Sequence, residues 1–260
     1  MKIAIIGAGA MGGAMAEGLL HSEHVRPQDI TVCDHKQATL DHFAQQGATV
    51  TLDNAMAVHA ADVVFVVVKP WAVEQTLKGI KPALDYRKQT VVVVAAGIQS
   101  ADILLWLQKD GQLPTLFLAM PNIAIALKES MTFLTPIGAS DEQTASIVAL
   151  FDELGQTLVM EERLFPAATA LSCAIAYAMR YVRANVEGGV ELGFKAKEAQ
   201  QIVLQTVKGA VALLQSTGEH PEAAIDKVTT PGGLTIRGLN AMELGGFSSA
   251  VISGLKAGLK

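Results

Sequence analysis

The chain is poor in charge, aromatics and cysteine, and each shortage closes off a class of function. Only 17% of its 260 residues are charged, and the formal net charge is −5. That balance gives no basic footprint for nucleic acid or an anionic membrane surface. Aromatic residues make up 5% of the chain, too few for a base-stacking platform. The two cysteines, Cys33 and Cys173, stand far apart and form no CxxC pair. A disulfide framework or thiolate metal site is therefore not indicated, and both read as small buried residues of a reducing compartment. The six histidines form no ligand-spaced set. No stretch reaches the roughly 20 apolar residues of a membrane span.

What the chain has in quantity is apolar residues, at 50%, and glycine, at 23 residues. Disorder is excluded by that apolar content. The N-terminus, Lys2 followed by small apolar residues to Ala16, imitates a secretory signal. Gly7, Gly9, Gly12 and Gly13 interrupt it, and Glu17 ends it, so strand, turn and helix account for it better. A soluble cytoplasmic protein is expected.

The first part alternates strand and helix signals. Strands are expected at Lys2–Ile6, Ile30–Cys33, Val63–Val68, Thr90–Val94 and Thr115–Leu118. Val63–Val68 is apolar at every position, as in a parallel strand covered on both faces. Helices are expected at Met11–His21, Gln37–Gln46, near Asp53–Ala60 and Val73–Leu77, and at Ser100–Gln108. Thr132–Thr135, a helix at Asp141–Glu153, and Thr157–Met160 complete a doubly wound parallel sheet of the Rossmann type. After about Glu161 the strand signal stops. Leu171, Ile175, Met179, Val182, Val186 and Val190 mark one apolar stripe of a long helix. Lys195–Gln215 reads as a second helix ended near Gly218, and Pro221 suits the first turn of a third. Leu234–Lys260 reads as two more, broken at Gly245-Gly246. The expected organisation is an α/β dinucleotide-binding domain over residues 1–160 and an all-α domain over 161–260.

Gly7-Ala8-Gly9-Ala10-Met11-Gly12 is a GxGxxG following Ile6, between a strand and a helix, where a diphosphate-binding turn has to lie. Gly7 permits the turn, Gly9 admits the diphosphate, and Gly12 lets helix and sheet approach. Asp34 ends the second strand, 22 residues after Gly12. A carboxylate there suits the ribose hydroxyls of NADH, whereas His35 and Lys36 suit a 2′-phosphate, and Asp34 equally fits a helix N-cap. NADH and NADPH both stay open. Lys69-Pro70, Ala95-Ala96-Gly97 and Met120-Pro121-Asn122 each follow a strand, at the edge where a ligand crevice forms. Trp71 and Trp106 read as packing residues, and Arg180 and Arg183 as a solvated face. His220 reads as part of a turn. Near the other end, Val228-Thr229-Thr230-Pro231-Gly232-Gly233-Leu234-Thr235 is a polar, glycine-rich loop opening a helix, with free N–H groups suited to a carboxylate.

These segments, in this order, resemble the pyrroline-5-carboxylate reductase family over essentially the whole chain. The resemblance rests on GAGAMG, Asn54 before Ala55, VVKP at Val67–Pro70, AAGI at Ala95–Ile98, MPN, GEHP at Gly218–Pro221, and the loop from Asp226 to Ile236, then Gly238-Leu239 and Glu243. It departs where the family carries SGSGPAY, since this chain reads LSCAIAY at Leu171–Tyr177, and its MPNTP is MPNIA. The resemblance implies reduction of the cyclic imine 1-pyrroline-5-carboxylate to proline, in proline biosynthesis, with NADPH or NADH. It implies coenzyme contacts from Ile6 to Gly12 and at Asp34, Asn54, Val67, Val68, Lys69, Pro70, Ala95, Ala96, Gly97 and Asn122. It implies substrate contacts at Val228, Thr229, Thr230, Gly232, Gly233, Leu234 and Thr235, with Thr235 bonding the ring nitrogen. No metal is expected, because hydride addition to a protonated C=N needs positioning alone. It also implies an intertwined homodimer through the helical domain, or a larger homo-oligomer.

Two rivals come from other classes. A β-hydroxyacid dehydrogenase shares the layout but relies on a lysine early in the long helix, and none occurs between Lys128 and Lys195. A non-catalytic dinucleotide-binding protein would have lost the substrate loop, which is intact here.

Overall fold

The computed structural model describes residues 1–259 and divides the chain into two compact units, Met1–Ser172 and Cys173 onward. The first unit holds eight strands: β1 Ile3–Ile6, β2 Ile30–Cys33, β3 Thr49–Thr51, β4 Val63–Val66, β5 Thr90–Val93, β6 Thr115–Met120, β7 Ser130–Ile137 and β8 Gly155–Val159. Its helices are α1 Ala10–Leu20, α2 Gln37–Gln45, α3 Asn54–His59, α4 Pro70–Ile80, α5 Ser100–Leu107 and α6 Asp141–Asp152, and α7 Phe165–Cys173 ends at the boundary with the second unit. The strands form one sheet in the order β3-β2-β1-β4-β5-β6-β7-β8. All neighbours are parallel except β6 and β7.

Alternation along each strand divides the core between two faces. Ile3 and Ile5 of β1, Phe65 of β4 and Phe117 of β6 pack on one face with Met15 and Leu19 of α1, Phe43 of α2 and Phe151 of α6. Ala4, Ile6, Val64, Val66 and Leu118 pack on the other with residues of α3, α4 and α5. Strands buried on both faces are the reason that runs such as Val63–Val66 carry no polar residue.

β3 escapes the sequence signals because it is a three-residue strand, exposed or half-buried throughout, at the sheet edge. Val63–Val68 is strand only as far as Val66, since Lys69 and Pro70 begin α4. Asp34 is not the N-cap of α2, a position that Lys36 holds.

The second unit consists of α8 Ile175–Glu191, α9 Ala196–Thr217, α10 Pro221–Lys227, α11 Leu234–Leu244 and α12 Phe247–Ala257. Gly218 ends α9 in the left-handed conformation at φ 62°, as a C-terminal glycine does. Gly246, at φ 82°, separates α11 from α12. The single long helix expected from Leu171 to Val190 is instead two: α7 ends at Cys173, and Ala174 caps α8. Cys173 is exposed, contrary to the expectation of burial. α8 and α9 meet closely where a Cβ on Gly189 would lie 3.0 Å from the Ala199 methyl. Among the described residues no helix is long and apolar enough to cross a membrane.

Candidate active site

The register sets one edge of the sheet level. Ile6 of β1 pairs with Cys33 of β2 and with Val66 of β4, and Val66 pairs with Val93 of β5. The chain segments leaving these residues, 7–12, 34–36, 67–70 and 94–97, therefore emerge side by side. They do so where the strand order reverses between β1 and β4, the place where open α/β sheets bind ligands.

The glycine turn is built by contact. Gly7 has φ +93°, and its N–H donates to the Cys33 carbonyl at 2.8 Å. A Cβ at Gly7 would stand 2.6 Å from the Val67 carbonyl oxygen, and one at Gly12 would stand 1.9 Å from that of Gly7. Gly9 differs: nothing lies within 4 Å of where its Cβ would be. Gly9 is also the N-cap of α1, and no side chain caps that end, so the N–H groups of Ala10 and Met11 lack intrahelical partners. Open space over Gly9 and free N–H groups at a helix start fit a diphosphate. Val68 is half-buried, and Ile6 and Ala8 are buried.

Asp34 reaches under this turn. Its Oδ2 accepts from the Ala8 N–H at 2.8 Å and its Oδ1 from the Lys36 N–H at 2.9 Å, while His35 Nδ1 lies 3.3 Å from Oδ1. Asn54, first residue of α3, accepts from Cys33 Sγ at 3.0 Å. Burial, with the Asp34 and Asp53 carboxylates adding to it, pushes the Cys33 thiol up to about 11. Native protein at pH 8 should therefore consume no more than one equivalent of a thiol-reactive disulfide, and two after denaturation. Two rapid equivalents in the native state would contradict this placement of Cys33.

Lys69 is the N-cap of α4, with Pro70 in its first turn. The Lys69 side chain is exposed and has no ion-pair partner among the described residues. Ala95 is buried, Ala96 and Gly97 are exposed, and Gly97 has φ +77°. Asn122 follows β6, where its side-chain oxygen accepts from the Ala124 N–H at 3.0 Å and its own N–H donates to Ser130 Oγ at 3.1 Å. The turn after it seats on α1, where a Cβ on Gly18 would meet the Ile125 carbonyl at 2.4 Å. Trp71 is not a packing residue: it is 82% exposed, on the first turn of α4. Its place immediately after Lys69-Pro70 was the signal for that.

The second unit carries the other expected site. Thr229 Oγ1 donates to the Asp226 carbonyl at 3.1 Å, Gly232 has φ +68°, and the Gly233 N–H closes a turn to the Thr230 carbonyl at 2.9 Å. Gly233 is the N-cap of α11, again with no side-chain cap. Val228, Leu234 and Thr235 are exposed, and the Thr235 hydroxyl makes no hydrogen bond among the described residues. His220 is more than a turn residue, since it caps α10, its Nδ1 accepting from the Glu222 N–H at 3.3 Å. Arg183 pairs with Glu187 at 2.8 Å on an exposed face. Among the described residues no group of His, Cys, Asp and Glu is placed to hold a metal.

Residues 162–260 match the family model described as pyrroline-5-carboxylate reductase dimerisation, and residues 2–97 match that described as NADP oxidoreductase, coenzyme F420-dependent. Pyrroline-5-carboxylate reductase 1 of Dictyostelium discoideum is 37% identical over 97% of this chain and 48% of its own length. This chain thus spans about half of that relative. Pyrroline-5-carboxylate reductase 2 of the same organism is 35% identical over 98% of this chain and 89% of its own length. The solved pyrroline-5-carboxylate reductase of Coxiella burnetii superposes with a TM-score of 0.89 at 27% identity, covering 99% of this chain and 96% of that one.

Proposed function

The chain belongs to the pyrroline-5-carboxylate reductase family, and on that premise we propose that it reduces 1-pyrroline-5-carboxylate to proline with NADPH or NADH. The observation that carries the reading is the uncapped start of α1 beside an open Gly9 at the point where strand order reverses. With its diphosphate held there, a reduced nicotinamide coenzyme would supply a hydride to the imine carbon. The C=N π electrons pass to a nitrogen that is already protonated, which leaves a neutral amine.

The chain's own work is binding and orientation. The N–H groups of Ala10 and Met11 hold the diphosphate, with the α1 dipole assisting. Small residues at Ala95, Ala96 and Gly97 leave room for a flat ring at the end of β5. In the second unit, the free N–H groups opening α11 receive the substrate carboxylate, and the Thr235 hydroxyl bonds the ring nitrogen. Neither role needs an ionisable side chain, which agrees with the lack of one in the 229–235 loop.

The test is coenzyme oxidation followed at 340 nm with pyrroline-5-carboxylate, using β-hydroxyacids and oxidised coenzyme as the reverse control. Imine-dependent oxidation is expected with no hydroxyacid turnover. Hydroxyacid oxidation without imine reduction would overturn the reading.

The second unit supports a dimer. Among residues 173–259, only Val186 and Ala199 are buried hydrophobics, while Leu192, Phe194, Leu213, Leu234 and Leu244 are about half exposed or more. Side chains of this kind are each worth about 1.5–3 kcal/mol when buried, so a unit leaving so many in water lacks the core to stand alone. We assign these apolar faces to contact with a second copy through α8–α12, in keeping with the dimerisation model matched by the same residues. Sedimentation should give twice the chain mass or a multiple of it at micromolar concentration. A well-behaved monomer would refute the assignment.

A further inference from the structure

We infer that Glu162 is a positioning residue for the reduction: its carboxylate clamps the start of α5, and with it the loop 95–99 against which the nicotinamide ring lies. This rests on the coenzyme reading above and adds to it a residue that acts through that loop.

The loop has few fastenings of its own. At its near end the Val94 N–H donates to the Val66 carbonyl at 2.9 Å, while Ala95 to Ile98 make no hydrogen bond among the described residues. Gly97 has φ +77° with open space around it, and half-buried Ile98 packs on the core. At the far end Gln99 is the N-cap of α5 and offers no side-chain bond, so the first N–H groups of that helix lack a local partner. Glu162 supplies one from 62 residues away. Its Oε1 accepts from the Ser100 N–H at 2.7 Å and its Oε2 from the Ser100 hydroxyl at 2.5 Å. A carboxylate at a helix start also suits the helix dipole.

A clamp holds only as firmly as its base, and this one is anchored on both sides of Glu162. The Met160 N–H donates to the Leu134 carbonyl at 2.9 Å, and the Met160 carbonyl accepts from the Thr135 hydroxyl at 3.0 Å, so the segment is pinned to β7. Phe165 is buried in the same core cluster that Ile98 packs on. The adjacent cation, Arg163, pairs with Glu161 at 2.5 Å and leaves the half-buried Glu162 carboxylate to Ser100. The loop 95–99 therefore takes its place from β4 at one end and, through Glu162, from β7 at the other. Hydride transfer is sensitive to such placement, since a shift of about 1 Å in the reacting groups costs on the order of 100-fold.

The test compares Glu162→Ala with the loss of an ordinary helix cap. Ser140 caps α6 on the opposite face of the sheet, where its Oγ accepts from the Gln143 N–H at 3.2 Å. Glu162→Ala and Ser140→Ala should each lower the thermal midpoint by a few degrees. Only Glu162→Ala should reduce turnover with pyrroline-5-carboxylate, about 10- to 100-fold. It alone should also weaken the whole reduced coenzyme more than 5′-AMP and 2′,5′-ADP, which lack the ring. Glu162→Gln should keep most of the rate, because its amide can accept from the Ser100 N–H and donate to the hydroxyl. Ser100→Ala, which keeps the N–H bond alone, should lose part of the rate with fragment binding intact, and it decides the matter if Glu162→Ala does not fold. Unaltered turnover in Glu162→Ala, a loss that Ser140→Ala matches, equal weakening of coenzyme and fragments, or, where Glu162→Ala does not fold, an unaltered rate in Ser100→Ala would overturn the inference. Absence of imine reduction by the unmodified protein would remove it together with the reading on which it rests.

Discussion

Gly12→Ala should lower the thermal midpoint by on the order of 10 °C and abolish coenzyme binding, whereas Gly9→Ala should leave the midpoint unchanged and weaken binding alone. The two glycines sit three residues apart in one turn, yet their surroundings are opposite. A methyl on Gly12 would lie 1.9 Å from the Gly7 carbonyl oxygen and 3.3 Å from the Val67 Cβ. Neither neighbour is the free end of a flexible side chain, so α1 has to move off the sheet. Overpacking of that kind costs about 3 kcal/mol or more. At Gly9 the added methyl meets nothing within 4 Å, and φ is −68°, which alanine adopts freely. Alanine is a poorer N-cap than glycine, but it also loses less chain entropy on folding, and the two effects are each under about 1 kcal/mol and opposite in sign. The remaining consequence is steric and falls on the ligand: affinity for either coenzyme should drop roughly 5- to 150-fold. Melting curves and fluorescence titrations of both variants check the pair. A destabilised Gly9→Ala, or one that binds coenzyme normally, would mean that the space above Gly9 is not where the diphosphate lies.

That contrast was half legible in the sequence. The motif and its place between Ile6 and α1 follow from residue types alone, because strands buried on both faces leave unbroken apolar runs and a tight turn demands glycine. Which glycine serves packing and which serves ligand depends on distances to the Gly7 carbonyl and to Val67, which follows β4 and lies far along the chain from the turn. Asp34 shows the same limit. Its position after β2 is readable, but its hydrogen bond to the Ala8 amide joins segments that meet only once β1 and β2 pair. The break between α7 and α8 was hidden for another reason. The apolar spacing of Leu171 and Ile175 runs through it, and neither Cys173 nor Ala174 is a residue that announces a helix end. Trp71 was misread because size suggests burial, while its place on the first turn of α4, at the open edge of the sheet, leaves it in solvent. Composition speaks for the average environment of a residue type, and sites are where the average fails.

Thr235→Val should reduce turnover with pyrroline-5-carboxylate roughly 10- to 150-fold and leave coenzyme affinity and stability as they are. Valine has the shape of threonine and a similar helix propensity, so α11 should start as before. The lost hydroxyl makes no hydrogen bond within the described residues, in contrast to that of Thr229, which donates to the Asp226 carbonyl and helps build the loop. Removing the Thr235 hydroxyl therefore leaves no unsatisfied partner in the protein, and any loss of activity reports on what it touches in the substrate. A hydrogen bond to a group that is charged in the reacting state is worth about 1.5–3 kcal/mol, which sets the range quoted. Coenzyme binding is expected to hold because the diphosphate is assigned to the N–H groups of Ala10 and Met11, not to Thr235. Thr235→Ser, which restores the hydroxyl without the methyl, should recover most of the rate. Gly233→Ala is a structural contrast: its Cβ would lie 3.0 Å from the Thr230 carbonyl and would turn the Thr230 hydroxyl aside, so it should disturb activity through the loop's shape and not through a lost hydroxyl at position 235. Steady-state kinetics of the three variants, with melting curves for each, separate the roles. Unchanged turnover in Thr235→Val, or a rate that Thr235→Ser fails to restore, would remove the Thr235 hydroxyl from contact with the imine and leave the α11 N–H groups as the loop's contribution.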